Sequence, residues 1–124
     1  MSMDYKGRKL IGLRHALRGI QQVFRKERNL KIHLIISVVV IFFAAFLDVS
    51  LMEWAVLFGI IALVISLEMI NSSIERVMDY LAPEWHASAG EIKDIAAGAV
   101  LVAAISSIII GCIIFLPKLM DIMF

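Results

Sequence analysis

The chain has 124 residues, 61% of them hydrophobic, with a mean hydropathy of +0.92. A water-soluble domain is nearer half apolar, so the composition excludes an ordinary soluble enzyme. The length leaves room for about three membrane spans of roughly 20 residues each. A net charge of +1 hides a strong asymmetry: nine of the twelve Lys and Arg residues stand before Leu34, opposed there only by Asp4 and Glu27. Such a basic flank beside a first span places that flank in the cytoplasm by the positive-inside rule.

Residues 8–28 interleave these charges with Leu10, Ile11, Leu13, Leu17, Ile20, Val23 and Phe24. Spacings of three and four predict an amphipathic helix, and its basic face predicts a position along the cytoplasmic membrane surface. A first span is expected over about 30–47, with Lys31 and His33 near its cytoplasmic end. It begins too far into the chain for a secretory signal and lacks a small-residue cleavage pattern, so no processing is expected. The link at Asp48–Ser50 should be external.

A second span is expected over about 52–79, uncharged from Trp54 to Leu67, and broken by Ala82-Pro83-Glu84. Residues 85–90 read as a polar cytoplasmic loop. A third span over about 94–116 is uncharged from Ile95 to Leu116, and Pro117 is expected to close it. Cys112, the lone cysteine, can form no intramolecular disulfide and is expected to pack as a small apolar residue. The fold class is therefore all-α integral membrane protein, a surface helix plus three transmembrane helices in one domain spanning 1–124, with the C-terminus external.

The second span ends on E-M-I-N-S-S-I-E-R-V-M-D, residues 68–79. At 100° per residue, Glu68, Glu75 and Asp79 fall within about 40° of one another, flanked by Asn71 and Ser72. Glu68 lies roughly 24 Å along the helix from Met52, near the inner edge of the hydrocarbon, and Glu75 about 10 Å nearer the cytoplasm. Acids at such depth are expensive and mark functional sites. Lys93-Asp94 enters the third span from the same side, and antiparallel packing should bring the pair toward Glu75 and Asp79.

No G-x-x-x-x-G-K-[ST] or G-x-G-x-x-G occurs, which excludes a P-loop and a dinucleotide fold. His15, His33 and His86 are too scattered to suggest zinc. Carboxylate oxygens suit Mg²⁺, which one or two carboxylates hold together with substrate phosphates. A carboxylate base, Mg²⁺ and a lysine are the parts of phosphoryl transfer. From the residues alone three other readings stay open: polar glue between helices, a partner-binding scaffold, and a proton or ion pathway. The last is poorly served by Ser66, Ser106 and Ser107 as the deeper polar residues. Asp79, Glu84 and Glu91 also read as solvated surface acids.

The two motifs E-M-I-N-S-S-I-E-R-V-M-D at 68–79 and K-D-I-A-A-G-A-V at 93–100 together resemble the small prokaryotic diacylglycerol kinase and undecaprenol kinase family. R-K-E-R-N at 25–29 and I-I-F-L-P-K-L at 113–119 extend the resemblance over nearly the whole chain. It implies an ATP- and Mg²⁺-dependent lipid kinase, working as a homotrimer with sites shared between subunits, and no nucleic-acid partner. It makes Glu68 the general base toward the lipid hydroxyl and Glu75 the Mg²⁺ ligand that holds the ATP phosphates. Asn71 and Asp79 shape the site, with Asn71 and Lys93 assisting catalysis. Lys93 and Asp94 contact nucleotide, with Glu84 and His86 nearby. One departure concerns the surface helix, where several family members carry a metal-binding glutamate and this chain has Gln21 and Gln22. Gln21 can offer only an amide oxygen, and Glu27 is either a partial substitute or a partner for arginines. The R-K-E-R-N, A-A-G-A-V and F-L-P-K stretches resemble the Gram-positive branch, which points to undecaprenol over diacylglycerol as acceptor. The apolar residues are too generic to decide between them.

Overall fold

A computed structural model describes residues 5–124, with side chains from residue 11 onward; Leu10 and the basic residues up to Lys9 lie outside the described side chains. Four helices follow one another: α1 (Tyr5–Lys26), α2 (Arg28–Phe46), α3 (Leu51–Leu81) and α4 (Ala87–Met123). The last three are each long and apolar enough to cross a membrane. α3 and α4 pack most extensively, α2 lies against α3, and α1 touches both α2 and α3.

The chain breaks between α1 and α2 at Glu27, whose backbone is extended (φ −99°, ψ 114°). No side chain caps α2 there. Glu27 instead reaches α3, where its Oε1 accepts a hydrogen bond from Arg76 at 3.1 Å. The turn from α2 to α3 is tight, with Asp48 in the left-handed region at φ 51°; aspartate tolerates that conformation better than most residues. Ser50 and Glu53 then start α3 with a capping box. The Glu53 N–H donates to Ser50 Oγ at 3.2 Å, and the Ser50 N–H donates to Glu53 Oε2 at 2.7 Å. Satisfying these orphan donors stabilises a helix start that opens on a two-residue approach.

Glu53 also pairs with Lys118 of α4 at 3.1 Å. Beside that pair sits the main apolar cluster, Ala44, Leu47, Val49, Leu57, Ile114 and Phe115. The Phe115 ring meets Phe43 edge to face at 5.2 Å, a favoured aromatic arrangement. One end of the bundle is thus closed by packing, while the opposite end carries the polar residues.

Two expectations are corrected. Residues 87–90 are not loop: α4 already begins at Ala87, because the His86 imidazole serves as its cap, Nδ1 accepting from the Ser88 N–H at 3.2 Å. Nor does Pro117 close α4, which continues to Met123. Proline removes one N–H but its fixed φ is helical, and transmembrane helices tolerate it where neighbouring groups satisfy the freed carbonyl.

Candidate active site

Spacings of three and four along α3 set Glu68, Asn71, Ser72 and Glu75 on the side facing the other helices. Glu68 is 3% exposed, Asn71 7% and Ser72 2%. Asp79, one turn beyond Glu75, has a largely exposed side chain. The acidic stripe therefore grades from buried to solvated along its length.

Around Glu68 the three spanning helices enclose an open cleft of about 310 Å³. From α3 it takes Glu68, Asn71 and Glu75; from α2 it takes Asn29 and His33, one turn apart, which face the Glu68 carboxylate. α4 contributes Ala97, Val100, Leu101 and Ala104, and their modest side chains leave the cleft its width. Asn71 Nδ2 donates to Glu75 Oε1 at 3.4 Å. Its Oδ1 has no partner, the one such buried side-chain atom among the described residues. A buried, unpaired acceptor costs roughly 1–3 kcal/mol, so this amide is held where a further donor or cation belongs.

A second polar group lies at the end of the bundle. Lys93 of α4 is ion-paired with Asp79 of α3. Together with Glu84 and His86 of the 82–86 loop they line a pocket of about 190 Å³. Antiparallel packing thus brings Lys93 to Asp79, as the sequence suggests. Asp94 is exposed on α4 and lines neither cleft, and Gln21 and Gln22 are exposed on α1 and line neither. Glu27 is engaged with Arg76. Among the described residues no three His, Cys, Asp or Glu converge as a metal site.

Sequence reasoning passed over Asn29 and His33 as site residues. Their signal is an i, i+4 pair of polar residues on an otherwise apolar α2 face that continues through Ser37. The arrangement offers chemistry in two zones: a buried carboxylate and amide within the span, and an ammonium with acids at its end.

An all-helical membrane protein with an acid buried between its spans is the class that fold and site define. The chain belongs to the prokaryotic diacylglycerol kinase family, whose pattern it matches over residues 14–115. It is 42% identical over 105 residues to undecaprenol kinase of Bacillus subtilis, covering 85% of each chain. It is 38% identical over 115 residues to a diacylglycerol kinase of Synechocystis, covering 92% of this chain and 66% of that one. Diacylglycerol kinase of Escherichia coli K12 is 29% identical over 100 residues, 81% of this chain and 82% of that one. The chain is accordingly a membrane phosphotransferase with an alcohol acceptor and ATP as cosubstrate.

Proposed function

We propose that this protein phosphorylates the hydroxyl of undecaprenol, using ATP and Mg²⁺, as one domain over residues 1–124 that works as a homotrimer. The observation that carries the mechanism is the burial of Glu68 beside an Asn71 oxygen with no partner, at one wall of an open cleft. Glu68 takes the proton of the lipid hydroxyl, the freed oxygen attacks the γ-phosphorus, and ADP leaves. Asn71 orients the reacting groups. Lys93, which Asp79 holds in the second zone about 16 Å along α3 from Glu68, meets the trailing phosphates of the nucleotide. Glu84, His86 and Asp94 serve the nucleotide side.

The donor set fits Mg²⁺. Glu75 supplies carboxylate oxygen and Asn71 Oδ1 is free beside it, while substrate phosphates complete such sites. Bound there, the ion neutralises charge on the phosphates. Glu75 would hold the ion. Gln21 is exposed on α1 in the single chain, so any part it plays depends on assembly with a neighbouring copy.

The acceptor is assigned to undecaprenol on the likeness to the Bacillus subtilis enzyme, whose name carries that substrate. α1 lies along the cytoplasmic surface, where its exposed Ile11, Leu17, Ile20 and Phe24 enter the headgroup region. The loop 82–86 faces the cytoplasm and the C-terminus lies outside. The test is transfer of labelled γ-phosphate by the purified protein in detergent, with undecaprenol and diacylglycerol offered separately. Label in undecaprenol is the expected result. Label in diacylglycerol alone reassigns the acceptor, and label in neither overturns the kinase mechanism.

A further inference from the structure

Glu68 is buried, and a carboxylate has room for several hydrogen bonds, yet the walls of its cleft supply few donors. From α4 come only Ala97, Val100, Leu101 and Ala104. On α3, Asn71 directs its Nδ2 to Glu75, and Ser72, buried nearby, does not line the cleft. Arg76 is paired with Glu27, and Lys93 with Asp79. Glu27 and Glu75, the other charged groups that act on Glu68 besides His33, are carboxylates like itself. There remain Asn29 and His33 of α2, an amide and an imidazole that line the cleft and face the carboxylate. Four residues apart, they are neighbours on one helix face. Ser37, one turn further, donates to the His33 carbonyl at 2.7 Å and not to its ring.

We propose that Asn29 and His33 are positioning residues for Glu68, a two-donor clamp whose N–H groups hold its carboxylate toward the acceptor hydroxyl. The proposal rests on the base role given to Glu68 above and deepens it. A general base works only within hydrogen-bond reach of the proton it takes, and a glutamate side chain has several torsions through which to swing away. A base oriented by a further group is the recurring solution. Both α2 side chains can act so. An amide always carries N–H donors, and an imidazole carries one when neutral and two when protonated, so the clamp does not depend on the ionisation of His33. The two donors come from a different helix than the base, which makes the packing of α2 on α3 part of the catalytic geometry.

A double-mutant cycle tests this. Asn29→Leu, His33→Leu and His33→Gln are made in the wild-type chain and in Glu68→Gln, and transfer of labelled phosphate is followed in each. In the wild-type chain each Leu variant should lower kcat by about 10²-fold, the scale of a misplaced reacting group, with the KM for ATP unchanged. His33→Gln keeps an N–H donor and should recover most of that loss. In Glu68→Gln the Leu variants should cost nothing further, because residues that act as one unit are non-additive. The same fold-loss in both backgrounds overturns the clamp, and a lowered thermal midpoint beside it makes the pair polar glue between α2 and α3. A raised KM with kcat intact makes them substrate contacts and overturns it too, as does wild-type kcat in both Leu variants. Near-normal turnover in Glu68→Gln alone removes the base role itself, a separate failure that is read before any α2 variant is made.

Discussion

Glu68 and Asn71 are costly residues to bury, and their environment does little to reduce that cost. Asn71 makes one long bond, to Glu75, and leaves its oxygen unpaired. Two outcomes follow. Glu68→Gln keeps the shape and removes the base, so turnover should fall by about 10²–10⁴-fold with the helical circular dichroism unchanged. A variant with near-normal turnover would remove Glu68 from the base role. Asn71→Leu replaces an unsatisfied amide by an apolar side chain of similar size. It should lose activity without losing stability, the trade-off expected of a polar group retained for function. Thermal unfolding in detergent beside a turnover assay checks both halves, and a lowered midpoint would make Asn71 a structural residue. The α3 side of this cleft was legible because 68, 71 and 75 repeat at the helical period within one segment. Asn29 and His33 were not, since their nearness to Glu68 depends on how α2 lies against α3, and no local pattern encodes that.

At the scale of elements, the join between α1 and α2 carries the sharpest question. In the single chain Glu27 serves as the tie that holds this join to α3 through Arg76, with both side chains partly exposed. Such a pair contributes little, about 0–1 kcal/mol. Glu27→Gln should therefore leave the Mg²⁺ titration of activity in place and stability nearly unchanged. Glu75→Gln should move that titration to higher Mg²⁺. A shift in the Glu27 variant as large as in the Glu75 variant would make Glu27 a metal ligand instead. The helix boundaries show what local pattern can and cannot carry. The break at Ala82-Pro83 and the turn at Asp48–Ser50 were readable from residues that disfavour helix. The start of α4 was missed because histidine is not among the usual cap residues. Its far end was missed because a membrane helix carries an internal proline where neighbouring helices and local backbone adjustment re-satisfy the freed groups, which no local pattern shows.

For the whole molecule, the governing fact is how little apolar surface the four helices bury among themselves. Phe42, Phe46 and Ile113 are 73%, 81% and 68% exposed, a surface far larger than a soluble monomer carries. Lipid, and in the proposed trimer neighbouring copies, must cover it. The orientation of the bundle in that lipid follows from charge. Arg25, Lys26, Arg28 and Lys31 cluster with Arg76 and Lys93 at the end that holds the 82–86 loop. At the opposite end Lys118, paired with Glu53, is the one Lys or Arg among the described residues. The positive-inside rule counts Lys and Arg near the span ends, with acids contributing little, so the loop end should face the cytoplasm and Phe124 the exterior. Cys112 gives a simple way to measure this, since Cys112→Ser leaves a cysteine-free chain. Into that background Trp85→Cys and Phe124→Cys, at sites 91% and 99% exposed, each place one thiol at one end. A membrane-impermeant maleimide should label Phe124→Cys in intact cells and Trp85→Cys only after permeabilisation. The reverse pattern would invert the bundle and put the Lys93 pocket on the side without ATP, which no kinase mechanism at this site survives.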